Sequence, residues 1–184
     1  MRKEQKANYP ESARGAAALL VRMVLEDGAY TNIALNQYLR GSRLSDLDRR
    51  LATELVYGTV KASGTLDWYL AQCVSRPLDK VAGDILAILR ISTYQLLYMT
   101  RIPASAAVNE AVKLARSVSH EGSAKFVNGV LRGLLRKQEA GAFVLPDAEK
   151  QDADSLSLKY YHPRWLVKRW LGPWGREGTE RLLA

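Results

Sequence analysis

Apolar residues along this chain recur at helical spacing almost throughout. In "SARGAAALLVRMVLEDG", Ala13, Ala16, Ala17, Leu20, Val21 and Val24 form an i, i+3, i+4 stripe. Asn8 and Glu11 stand in capping-box spacing around Pro10, which sets the expected helix start, and Gly28 is the expected stop. A shorter helix follows from Thr31 to Gly41. "SDLDRRLATELVYGTVKASG" opens with Ser45 and Asp48 in a second capping arrangement and carries a Leu47, Leu51, Leu55 ladder. "TLDWYLAQCVS" is expected as a separate short helix ended by Pro77.

The segment from Asp79 to Met99 differs. Between Asp84 and Arg101 only Arg90 is charged, and apolar residues fall on most faces. A helix apolar nearly all round is surrounded by others, so this is the expected central helix of a bundle. "IPASAAVNEAVKLARSVSHEG" predicts a helix capped by Ser105, stopped at Gly122 and burying Val108, Val112 and Ala115. Ser123 is the expected cap of the next helix, "KFVNGVLRGLLRK". No period-two alternation occurs before about residue 140, so the fold class is all-α. After Gln138 the stripe gives way to "EAGAFVLPDAEKQDADSLSLKYY", expected as a loop or linker. A short helix then starts at Pro163 and ends at Gly172-Pro173, and "GREGTERLLA" begins another. That last pattern is cut off by the chain end, which points to a piece of a longer protein. The expected organisation is an arm over residues 1–12, a helical domain over 13–140, and a tail over 141–184.

In the helix "KFVNGVLRGLLRK", Phe126, Val127, Val130, Leu131, Leu134 and Leu135 cover one broad face. At 100° per residue Lys125, Arg132 and Arg136 fall within about 40° of one another on the opposite face. Gly129 and Gly133 lie beside that stripe, one turn apart. Each costs roughly 1 kcal/mol relative to alanine in a helix interior. Either a neighbouring helix packs tightly there, or a ligand backbone such as a phosphate chain comes close.

Charge gives the stripe a context. Lys and Arg number 27 against 19 Asp and Glu, a net charge of +8 with a pI near 9.7. That balance favours a polyanionic partner, nucleic acid ahead of acidic lipid. Arg2, Lys3, Lys6 and Arg14 lie at or before the start of the first helix, and Lys113 and Arg116 lie on the helix preceding the stripe. The candidate RNA-binding set is therefore Arg14, Lys113, Arg116, Lys125, Arg132 and Arg136. Such a surface holds phosphates chiefly through counterion release, with strong salt dependence.

Catalytic chemistry is thin. There is no P-loop and no glycine-rich dinucleotide loop after a strand. His120 and His162 stand apart, and no Cys/His cluster has metal-ligand spacing. His120 is expected near a helix C-terminus, where a positive imidazole is favoured. Cys73, the single cysteine, sits at an apolar helical position and is expected to pack rather than react. Trp165, Trp170 and Trp174 suit either a stacking platform or a small core shared with chain further downstream. The charged N-terminus has no apolar signal region, and no run is long and apolar enough for a bilayer span. The expectation is a cytoplasmic protein without a membrane or metal partner.

The ordered set "ARGAAALLVRMVLEDGAYTNIALN", "ELVYGTV", "LRISTYQLLYM", "IPASAAVNEAVKLAR" and "KFVNGVLRGLLR" resembles the NusB family of all-helical RNA-binding domains over about residues 13 to 138. The resemblance implies two small helical bundles packed together around the apolar helix. Arg132 stands where free-standing NusB antitermination factors usually carry an acidic residue. The tail "HPRWLVKRW" is similar to the segment that joins a NusB-like domain to the catalytic part of the ribosomal RNA small subunit methyltransferase B (Sun/Fmu) family. That family methylates C5 of a cytosine in small-subunit rRNA with S-adenosylmethionine. The resemblance thus implies the N-terminal region of such an enzyme, without catalytic residues or a cofactor site of its own, and with rRNA and a downstream catalytic domain as partners. Arg14 matches one arginine of the NusB RNA-contacting motif, but Gly15 to Leu20 is mostly alanine and leucine, so the rest of that motif is thin. Two other roles remain open: a structural or protein-interaction module, and a transcription antitermination factor, the latter disfavoured by the residues after about 150.

Overall fold

The computed structural model describes residues 8–144 and 153–184. The arm residues Arg2, Lys3 and Lys6, and residues 145–152 of the expected linker, lie outside that range. Among the described residues the protein is helical with no strand, as expected.

Helix α1 spans Ala13–Leu25 and buries Ala13, Ala16, Ala17, Leu20 and Val21. Its cap is Ser12 rather than Asn8: the Ser12 hydroxyl accepts the Gly15 N–H at 3.1 Å. Glu11 is drawn elsewhere, accepting the Arg43 N–H at 2.6 Å from the loop that follows α2. Gly28 ends the turn with φ +74°, the left-handed region that glycine tolerates. Helix α2, Thr31–Gly41, has the expected bounds.

Helix α3 runs unbroken over Asp46–Ala71, not as two helices. Ser45 caps it as expected, accepting the Asp48 N–H and donating to the Asp48 carboxylate. Gly64 does not break it, because buried Ala62, Thr65, Leu66 and Leu70 hold both sides of that turn against neighbours. The leucine ladder is only half inside: Leu55 is buried, but Leu47 is 78% exposed.

A short 3-10 turn, Leu78–Lys80, leads into α4, Gly83–Tyr98. Ile85 through Leu89 and Ile91, Ser92, Thr93 and Gln95 are all buried. α4 packs against α1 and α3 on one side and against α5 and α6 on the other, which makes it the central helix of two sub-bundles. Its single mid-helix charge is paired by a bidentate bond: Arg90 Nε and Nη2 each donate to Asp67 at 2.8 Å, while Nη1 is buried without a hydrogen-bond partner among the described residues.

Helices α5, Ala104–Val118, and α6, Glu121–Glu139, form the second side. Their boundary corrects two expectations. Pro103, not Ser105, occupies the α5 cap position. The chain breaks at Ser119, so Gly122 and Ser123 lie inside α6 and His120 caps it, with Nδ1 accepting the Ser123 N–H at 3.3 Å. His120 therefore stands at a helix N-terminus, not near a C-terminus.

The tail is more ordered than the sequence suggests. Helix α7, Ala153–Tyr160, falls within the expected linker because Ala153 and Leu156 find a core with Val167 and Leu183 of α8. Helix α8 spans Arg164–Leu183, with its break at Gly175 (φ +59°) rather than at Gly172-Pro173. Thr65 Oγ1 of α3 donates to the Leu158 carbonyl at 2.9 Å and ties this pair to the main domain.

Candidate nucleic-acid interface

The α6 wheel is realised as the sequence implied. Val127, Val130, Leu131 and Leu134 are buried, Phe126 and Leu135 pack at the edge, and Lys125, Arg132 and Arg136 are exposed. Arg132 Nε donates to Asn128 Oδ1 at 3.0 Å, one turn earlier, which steadies the side chain along the helix. None of the three cations forms an ion pair among the described residues.

The two glycines are not packing sites. A Cβ added at Gly129 would meet nothing within 4 Å, and one at Gly133 only Arg136 Nη2 at 3.8 Å. No neighbouring helix presses there, so the tight-packing explanation fails. What remains is a lane of bare backbone open to solvent beside the cations.

The other candidate cations divide. Arg14, in the first turn of α1, is half-buried and donates from Nε to Gln95 Oε1 at 2.8 Å. Gln95 is 1% exposed and is itself held by its Nε2 donating to the Ile91 carbonyl. Lys113 donates to Glu110 at 2.9 Å. That hydrogen bond, with smaller help from the charges of Lys113 and Arg14, holds the Glu110 carboxyl below its usual range. Lys113 is thus paired with a carboxylate of its own helix, and Arg14 with the Gln95 amide. Arg116 is taken by Glu121, Nε to Oε2 at 2.6 Å, and serves to clasp α5 to the start of α6.

Periodicity missed three cations near the same helix. Arg76 lies over the Phe126 ring, 4.7 Å from its centroid. Lys137 Nζ donates to the Gln72 carbonyl at 2.5 Å. Lys80 borders a cavity of about 460 Å³ between residues 76–85 and the start of α6. A cation before a proline, as in "SRP", was the only available signal; the cavity itself arises from a loop folding over a distant helix.

Among the described residues, no group of three or more His, Cys, Asp or Glu is placed to hold a metal, and no helix is long and apolar enough to cross a membrane. Cys73 is partly buried, and burial pushes its thiol up, away from reactivity, with Lys137 acting weakly in the other direction. Trp170 packs on the α7–α8 core, whereas Trp165 and Trp174 are 65% and 61% exposed.

Comparison with known proteins places this architecture. The chain is 40% identical over 94% of its length to a probable ribosomal RNA small subunit methyltransferase B of Synechocystis sp., and 37% identical over 93% to one of Bacillus subtilis (strain 168). It spans 38% and 37% of the length of those relatives. Among solved structures, a chain of the complex of antitermination factors NusB and NusE with double-stranded RNA matches with a TM-score of 0.63 at 21% identity. The match covers 70% of this chain and 96% of that one, which shows a shared fold. The NusB family model matches residues 11–136, from the residue before the Ser12 cap to the last arginine of the α6 stripe, and the chain belongs to the NusB family.

Proposed function

We propose that this chain is the non-catalytic RNA-binding domain of an S-adenosylmethionine-dependent small-subunit rRNA cytosine-C5 methyltransferase, acting in the cytoplasm to help the enzyme engage rRNA. The observation that carries the binding half is the exposed α6 stripe of Lys125, Arg132 and Arg136, with no carboxylate paired to it among the described residues. The methyltransferase half is supported by the extent of identity to relatives that bear that name. The described residues contain no strand and glycine-loop unit that fits S-adenosylmethionine, so the proposal assigns that cofactor to chain the relatives have beyond the matched segment.

On this reading the stripe holds phosphates by charge, and Arg14, fixed by Gln95, adds a directed contact. The test is binding of small-subunit rRNA fragments at several salt concentrations. The Lys125→Ala, Arg132→Ala, Arg136→Ala triple variant is expected to flatten the log–log salt slope by about 2, three phosphate contacts at roughly 0.7 each on a single strand. An unchanged slope would sink the stripe assignment.

A second reading is a structural or protein-interaction module. The exposed Trp165 and Trp174 favour it, since aromatic side chains are enriched at interfaces. It expects only weak, sequence-blind RNA binding in the same titration.

A further inference from the structure

The cavity at the start of α6 combines features that the stripe alone does not supply. Val81, Ala82, Ile85 and Phe126 give it an apolar side, and Ser119, His120 and Ser123 a polar one, with the Ser119 and Ser123 hydroxyls hydrogen-bonded to each other at 2.9 Å. Its rim carries Arg76 and Lys80. The Arg76 guanidinium carbon lies 4.7 Å from the centroid of the Phe126 ring, and the residue is exposed. Lys80 has a weak tie to Asp79 at 3.6 Å and is 71% exposed. The nearby Glu121 carboxylate is already engaged by Arg116. At about 460 Å³ the cavity falls within the range of small-ligand sites, roughly 300–1,000 Å³.

Beyond the cavity, the same side of α6 carries two further glycines. On the helical wheel Gly122, Phe126, Gly129 and Gly133 fall within about 60° of one another, in the sector adjoining Lys125, Arg132 and Arg136. Nothing lies within 4 Å of a Cβ built at Gly129. Bare backbone at Gly129 and Gly133 therefore lies beside the cation stripe, starting one turn beyond the cavity residue Phe126, while Gly122 is covered by the His120 ring. Bare backbone lets a polymer come close, and flanking cations suit a polymer of phosphates.

We propose that this cavity receives one unpaired nucleotide of an RNA strand that runs along the glycine lane of α6. Its base stacks on the Arg76 guanidinium against the apolar side, and its flanking phosphates pair with Arg76 and Lys80. Single-stranded RNA is read in this way, by splayed bases stacked on aromatic rings or arginine planes. A duplex cannot insert a base, so duplex binding depends on the stripe alone. The inference rests on the RNA-binding reading above but assigns residues and a strand preference that the reading does not contain.

The test uses the full chain, the Arg76→Ala, Lys80→Ala double variant and the stripe triple variant. The probe is a short single-stranded rRNA fragment with a fluorescent adenine analogue placed at each position in turn, with its duplex as the comparison. The parent chain is expected to change the emission at one position only. The Arg76/Lys80 variant is expected to abolish that change, weaken single-strand binding about tenfold and flatten its salt slope by about 1.4, while binding the duplex as the parent does. Both positions are in an exposed loop, and an unchanged thermal midpoint separates lost contacts from lost structure. Parent-like single-strand binding by this variant, with the stripe variant impaired, overturns the cavity assignment and leaves RNA binding standing. Absence of binding by the parent at low salt overturns both.

Discussion

Gly58 and Gly64 occupy the same helix and look alike in sequence, yet their surroundings assign them opposite roles. A Cβ built at Gly58 would overlap the Tyr94 ring, whereas one at Gly64 would meet nothing within 4 Å. The Tyr94 hydroxyl donates to Glu54 at 2.7 Å, and burial together with that carboxylate pushes its pKa up to about 12. That hydrogen bond and the Tyr98 ring, 5.4 Å away between centroids, resist a shift of the Tyr94 ring. Gly58→Ala is expected to destabilise by roughly 1–3 kcal/mol through overpacking, although alanine is the better helix former. Gly64→Ala is expected to stabilise by up to about 1 kcal/mol. Thermal midpoints of the two variants should move in opposite directions; a rise in both would show that Tyr94 yields. The sequence pattern places a separate helix after Gly64 and does not tell Gly64 from Gly58, because a glycine's effect is decided by a side chain far along the chain. The same limit applies to Gly129 and Gly133, whose cost was legible but whose open surroundings were not.

At the scale of elements, the apolar pattern identified α4 as central, and its one mid-helix charge was visible as an anomaly. The answer to that anomaly, Asp67 on α3, was not, since two charged residues on different helices carry no sequence signal of their pairing. Arg90 is 11% exposed at the side chain, Asp67 31%, and Glu26 stands 3.6 Å from Arg90 Nη1. Asp67→Ala leaves the guanidinium with only that longer contact. The expected loss is about 3 kcal/mol, the low end for breaking a buried pair, read as a lower denaturant midpoint at an unchanged slope. A loss below 1 kcal/mol would show that water reaches Arg90. The α5–α6 junction failed for a different reason. Gly122 and Ser123 are a plausible stop and cap, but His120 can also accept a backbone N–H, and it does so one turn earlier.

At the scale of the whole molecule, the helices up to residue 139 were readable from periodicity and from motif order except for the continuity of α3, and in the tail the helix after Pro163 was readable while α7 was not. Residues 153–160 are too few and too mixed to show a stripe; α7 exists because Leu156 meets Val167 and Leu183. The α7–α8 pair has its own core and meets the domain through Thr65 and the edge-on contact of Tyr98 with Tyr161. Hydrogen exchange is expected to be at least about a hundredfold faster in α8 than in α4, since the pair opens by itself. Equal protection would make the chain one cooperative unit. The cation surface was legible on α6, where one helix supplies it, and illegible at Arg76 and Lys80, where a loop does. Finally, α1 packs on α3 and α4 rather than on its sequence neighbour alone. During synthesis it must wait for Tyr98, on the order of 4 to 15 seconds at about 5–20 residues per second. Its waiting face carries small alanines, Ala13, Ala16 and Ala17, in the first half, so the larger fully buried side chains it must keep from other chains are confined to Leu20 and Val21.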